Sequence, residues 1–301
     1  MTAVLSPRRL VWRRLLRHRL AQLSLIFLAV LLVLSLAAPL IAQLRGIDPA
    51  TTDLFRRFEP PSAQYWLGTD DLGRDLFQRL LDGGRVSLLV GVSGALLSAV
   101  LGAVIGVFAG YLGGRLDSVL MRLTDGVIAL PLLPLLIVLA AIDPRKIGIP
   151  AEFAQSETFS LYRIVAIVGL TGWTTVARLV RAETLSLKAR DFTRAARALG
   201  ARPLRIMFRH ILPNTAGSLV VATTMSIGTL ILFESTLSFL GLGTQPPAAS
   251  WGNMLTGAQE LLQQAPMLAL WPGLLIFLTV IAFNFVGDGL QDALDPRSER
   301  R

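Results

Sequence analysis

The sequence predicts an all-α integral membrane protein with about six transmembrane helices and both termini in the cytoplasm. Three observations predict it. Of the 301 residues, 53% are hydrophobic and only 16% charged, against about 25% charged in an ordinary soluble domain. The apolar residues come in long uncharged blocks rather than in alternation. Basic residues flank those blocks: six of the 29 Lys and Arg lie in the first nineteen positions and nine between Arg178 and Arg209. That distribution is what the positive-inside rule produces.

A spanning helix needs about 20 predominantly apolar residues. Leu20 to Leu44 carries no charge and exceeds the about 7–15 apolar residues of a cleaved signal, so it is expected to be retained as a first helix running outward. Residues 46–85 balance acids against arginines, as an extracytoplasmic segment would. A second span is expected over Val86 to Gly114 and a third over Ser118 to Ile142, kinked by Pro131 and Pro134. Arg122 and Asp125, one turn apart, are expected to pair. The fourth span is short, Ile164 to Ala177 between Arg163 and Arg178, whose side chains must snorkel to the interface. His210 to Phe233 and Leu261 to Gly287 make the fifth and sixth. Between them Ser235 to Gln259, broken by GLGTQPP, is expected as an outer, re-entrant loop.

Six crossings place six, two, nine and three Lys/Arg in the successive inner segments and none in the outer segment 235–266. The expected organisation is therefore residues 1–45 as amino terminus and first helix, 46–85 outside, 86–290 as a five-helix transmembrane domain with a cytoplasmic loop over about 185–212, and 291–301 as a tail.

Several chemistries are excluded or disfavoured. There is no cysteine, and the histidines are His18 and His210, so disulfides, thiol catalysis and Cys/His metal sites fall away. No Gly-x-x-x-x-Gly-Lys-Ser/Thr loop occurs, and the lysines are Lys146 and Lys188; the usual phosphate cradle is missing, so ATP-driven work would need a partner. Nucleic-acid binding would gather the positive charge on one soluble face, and here it follows the spans instead. Asp70, Asp71, Arg74 and Asp75 are expected as a salt-bridged outer loop with turns at Gly68 and Gly73, not as a catalytic cluster. Glu234, an acid at membrane depth, is a candidate either for lining a pathway or for pairing at an interface. Asp288 and Asp292 are expected on a solvated face near Arg297, and Trp66, Trp173, Trp251 and Trp271 at the membrane interfaces.

The most informative stretch is 191–213, DFTRAARALGARPLRIMFRHILP. Phe192, Ala195, Ala196 and Leu199 form one apolar face of a short helix. Gly200 supplies a stop, and Pro203 suits the first turn of a second helix. There Leu204, Met207, Phe208 and Ile211 repeat the spacing, with Arg202, Arg205 and Arg209 opposite. Spacing alone leaves two readings open: an amphipathic element lying on anionic lipid, or a docking element for a cytoplasmic partner.

This run resembles the Glu-Ala-Ala loop in permease subunits of bacterial ATP-binding-cassette (ABC) importers. The matching positions are Arg194, Ala195, Ala196, Gly200, Leu212 and Pro213, with Arg194 where the family's glutamate stands. LGTDDLGRDLFQRLLDGGRVSLLVG at 67–91, LSFLGLGTQPPAASWGNML at 237–255 and GDGLQDALDPR at 287–297 resemble the second permease of the dipeptide, oligopeptide and nickel branch. Tyr65 and Trp66 replace that branch's His-Pro, and residues 143–160 read as an insert. The resemblance implies a type I importer fold and a transport subunit with no ATPase site of its own. It implies a heterodimer with another permease, two cytoplasmic ATPases that hold ATP and magnesium, and an external binding protein, all at a bacterial inner membrane. Ala195, Ala196 and Gly200 would make the ATPase contact, with Arg197, Arg202 and Arg205 as its basic rim. The substrate would be a peptide or similar small solute, with nickel or another solute as the alternative. A passive channel and an intramembrane enzyme are the readings from other classes.

Overall fold

The computed structural model describes residues 13–49, 51–154, 156–245 and 247–294. Among them no β-strand forms; the elements are helices. Two lie in the amino-terminal arm, α1 (Arg19–Leu36) and α2 (Ala38–Arg45). The expected single first helix is broken at Ala37, and Pro39 lies in the first turn of α2, where a missing N–H costs nothing.

The second span begins well before Val86. Helix α3 runs over Leu76–Leu112, 37 residues, or about 56 Å at about 1.5 Å per residue. That is longer than a hydrocarbon core of about 30 Å, so its first turns can be polar. Asp75 caps them, accepting from Gln78 N at 2.7 Å, and pairs with Arg45 at 2.8 Å. Gln78 Nε2 donates to Ala38 O at 2.9 Å. Asp70 accepts from the backbone N–H of Leu72 and Arg74 and pairs with Arg74 and Arg79 at 2.8 and 3.2 Å.

The third span is not one kinked helix. α4 (Gly114–Ala129) and α5 (Leu132–Ala141) meet at 89°. Leu130, immediately before Pro131, is extended (ψ 138°), as a residue preceding proline prefers. Arg122 is not the partner of Asp125; that carboxylate accepts from Arg178 across on the next long helix, and Asp117 takes Arg181 with two hydrogen bonds. In the 143–160 segment Asp143 starts a short 3-10 turn (Pro144–Ile147), and the adjacent Arg145 guanidinium holds its carboxyl down at about 2.

The fourth helix is far longer than expected, α6 (Glu157–Lys188). It lies parallel to α3 along a glycine ladder. Gly102, Gly106 and Gly110 face Val176, Val180 and Thr184, each 74 positions later in the chain, and a methyl group on any of the three would come within 2.6–2.8 Å of α6. Small residues at four-residue spacing let two helices approach this closely. Ser98 Oγ adds a bond to Gly169 O at 2.8 Å.

After α7 (Asp191–Ala198) and α8 (Pro203–Ile206), a π turn over Met207–Ile211 leads into α9 (Leu212–Phe239). Pro213 explains the π turn. It has no N–H to give and its ring would meet the carbonyl four residues back, so the helix widens there. Asn214 Nδ2 bonds the His210 carbonyl at 2.6 Å.

The 240–266 stretch contains the short α10 (Trp251–Met254), and α11 (Met267–Leu294) completes the bundle. Trp251 is not at an interface: it is fully buried against Gly83 and Gly84 of α3, donating Nε1 to Leu80 O at 3.0 Å. Trp173 is buried as well, whereas Trp66 is 54% exposed. Among the described residues five helices are long and apolar enough to cross a membrane, six if α4 and α5 count as one broken span. Leu15 and Ala21 pack on Ala293, and Gly217 near the start of α9 lies beside Leu294. The start of α1, the end of α11 and the α7–α8 pair thus share one end of the bundle.

Candidate functional site: the α7–α8 corner and the Glu234 node

The corner is built by its caps. Thr193 Oγ1 donates to Leu187 O at 2.8 Å, turning the chain out of α6. At the far end of α7, Gly200 takes φ +79°, Gly200 N bonds Arg197 O at 3.0 Å and Ala201 N bonds Ala196 O at 3.1 Å. This pair is a Schellman cap, which requires a left-handed residue. Pro203 then opens α8.

The apolar stripe of α7 faces outward. Phe192 and Leu199 are 41% and 88% exposed, Ala195 is exposed and Ala196 half-buried. The second predicted face splits. Met207 and Ile211, with Ile206, bury against Ala103, Val107, Tyr111, Val176 and Val180, while Leu204 and Phe208 stay exposed. Arg194, Arg202, Arg205 and Arg209 are exposed around the stripe, with Arg194 3.9 Å from Asp191. Arg197 turns back, its guanidinium 5.7 Å from the centre of the Tyr111 ring. An exposed apolar stripe with a cationic border, on a corner pinned at both ends, can seat against an acid-bordered apolar surface.

Glu234 is elsewhere, near the opposite end of α9 and fully buried. Its carboxylate accepts from Ser87 Oγ of α3 at 3.0 Å and from Ser238 Oγ at 2.7 Å. Those hydroxyls in turn accept the N–H of Trp251 and of Thr244, both at 3.2 Å. One acid therefore organises the loop after α9 through two serines, an arrangement within this chain. The sequence singled out neither Ser87 nor Ser238. The four-residue interval between Glu234 and Ser238 places them on one helix face and was the available signal. Tyr111 was missed for lack of any periodic signature.

The structure is thus a polytopic helical bundle with an exposed, cation-bordered corner at one end. Two family descriptions match the chain: "Binding-protein-dependent transport system inner membrane component" over residues 102–300, and "N-terminal TM domain of oligopeptide transport permease C" over residues 6–61. The chain is 37% identical over 280 residues to the oligopeptide transport system permease protein OppC of Bacillus subtilis, covering 93% of this chain and 86% of that one. It is 38% identical over 290 residues to the dipeptide transport system permease protein DppC of the same species (96% and 85%). To the glutathione transport system permease protein GsiD of an Escherichia coli strain it is 40% identical over 298 residues (98% and 92%). The chain belongs to the family of binding-protein-dependent transport system inner membrane components, and it is a permease subunit of an ABC importer.

Proposed function

We propose that the chain pairs with a second, different permease to form a pathway for peptides or similar small solutes. Two separate ATPases, holding ATP and magnesium, drive it, and an external binding protein delivers the solute. This chain has no ATPase site of its own. The relatives named for oligopeptide, dipeptide and glutathione transport support the substrate class. The membrane is the bacterial cytoplasmic membrane, and the strongly basic α7–α8 end faces the cytoplasm by the positive-inside rule.

The observation that carries the reading is Leu199, 88% exposed at the tip of α7 beside exposed Arg202 and Arg205. A large aliphatic side chain in water is costly, and the ATPase would cover it. Ala195, Ala196 and Gly200 let that surface approach the backbone. ATP-dependent closure of the ATPases favours one placement of the docked corners and so shifts the permease pair between inward- and outward-open populations. Glu234 shapes the loop at the opposite end rather than touching the ATPase.

Mass spectrometry of proteins that co-purify with the tagged chain in mild detergent tests the reading. One different permease, ATPase subunits and an extracytoplasmic binding protein are expected. Recovery of the chain alone, or only with copies of itself, would overturn it.

A further inference from the structure

Helix α7 is held to the bundle by few apolar contacts. Thr193 is its buried side chain, Ala196 packs half-buried against the cluster that holds Tyr111, and Phe192 and Leu199 point away. Eight residues are also too few to hold a helix by themselves. What braces it is the end of α3. Tyr111 is buried, 6% exposed, two residues before the Gly113 stop. Lys188, the last residue of α6, donates Nζ to the Tyr111 carbonyl at 2.5 Å and stands 5.5 Å from its ring centre. Arg197, in the last turn of α7, covers the same ring at 5.7 Å. One aromatic ring thus meets a cation from each of α6 and α7, and cations are drawn to the faces of such rings.

We propose that Tyr111 is a positioning residue that makes α7 move as one body with α3 and α6. This rests on the reading of α7 as the ATPase-docking helix. The Thr193–Leu187 bond fixes only the near end of α7. Beyond it the helix is held by the small Ala196 contact and the Gly200 turn into α8, which leave room for the helix to tilt under a push at Leu199. The Arg197–Tyr111 contact adds a side-chain anchor at the far end. Because α3 and α6 are locked by the glycine ladder, the push passes to both. The ring supplies the contact and the hydroxyl does not, since the Lys188 bond goes to the main chain.

The chain has no cysteine, so Ala198→Cys, exposed at the far end of α7, and Val100→Cys, exposed on α3, give two spin-label sites. Pulsed dipolar spectroscopy on the purified transporter complex is expected to show one narrow distance. Mg-ATP with vanadate should leave it in place. Tyr111→Ala should at least double the width and let nucleotide shift the maximum, while Tyr111→Phe behaves as the parent. A narrow, nucleotide-insensitive distance in Tyr111→Ala overturns the proposal, and so does a Tyr111→Phe distribution as broad as that of Ala. If ATPases fail to co-purify even with the parent chain, the docking reading has failed, and the nucleotide-free width still decides the brace.

Discussion

Glu234 and Trp251 are joined through a single hydroxyl: Ser87 Oγ donates to the Glu234 carboxylate at 3.0 Å and accepts the Trp251 N–H at 3.2 Å. The acid on α9 thereby orients α10. Ser238 repeats the device toward Thr244.

Glu234→Ala leaves three buried hydroxyls, Ser87, Ser235 and Ser238, without their acceptor, at about 1–3 kcal/mol for each group left unsatisfied. The expected result is a lower thermal midpoint and a red shift of tryptophan emission as Trp251 meets water. Glu234→Gln, which keeps one good acceptor, should fall between the parent and Ala. An unchanged midpoint in Glu234→Ala would remove the node's structural role.

The glycine ladder makes a sharp contrast within one substitution type. A methyl at Gly106 would come 2.6 Å from the Ala177 carbonyl of α6, whereas Gly126 of α4 has nothing within 4 Å. Overpacking costs about 1–3 kcal/mol; replacing an open helical glycine by alanine gains about 0.5–1 kcal/mol. Gly106→Ala should lower the yield of monodisperse protein and its melting temperature, and Gly126→Ala should leave both equal or higher.

Two ion pairs tie α4 to α6, and they should differ in worth. Arg178–Asp125 is exposed on both sides, 51% and 60%, while Arg181–Asp117 is 32% and 17% exposed and carries two hydrogen bonds. Exposed pairs contribute about 0.2–1 kcal/mol, and hydrogen bonds to charged groups about 1.5–3 kcal/mol. Double-mutant cycles with Asp→Asn and Arg→Gln, measured by detergent unfolding, should give the larger coupling for Arg181–Asp117. Equal couplings would contradict the geometry.

At Gly200 the positive φ matters and the surrounding space does not, since a Cβ there meets nothing. A left-handed conformation costs an ordinary L-residue about 1–2 kcal/mol, and asparagine tolerates it better. Gly200→Asn should retain the ATPases on purification, and Gly200→Val should retain about 5–30-fold less, the ratio for that energy. Membrane insertion should be the same in both.

The spans were legible in the sequence wherever an uncharged block marked them, and their ends were not. The start of α3 was hidden because Gln78, Arg79, Asp82 and Arg85 read as loop. In the fold Gln78 Nε2 bonds the Ala38 carbonyl from the amino-terminal arm, and Arg79 pairs with Asp70 in the loop before α3. The length of α6 was hidden the same way. Arg163 reaches the Leu242 carbonyl at 3.4 Å, and Arg178 and Arg181 find acids on α4. Pro131 signalled a bend but not its 89°, which depends on what packs around the two halves. At the site, the caps at Gly200 and Pro203 and the outward stripe of α7 followed from local rules. Arg197 did not, since its partner Tyr111 lies 86 positions earlier and no periodicity links them.

The glycine ladder also sets a schedule for biosynthesis. Each notch on α3 waits for a partner encoded 74 codons downstream, and at about 5–20 residues per second that interval lasts roughly 4–15 s. During it Gly102, Gly106 and Gly110 face lipid or the insertion machinery with nothing to fill them. The newborn α3 is a helix with an open seam, and the ribosome's pace through residues 110–184 governs how long that seam stays available to a wrong neighbour.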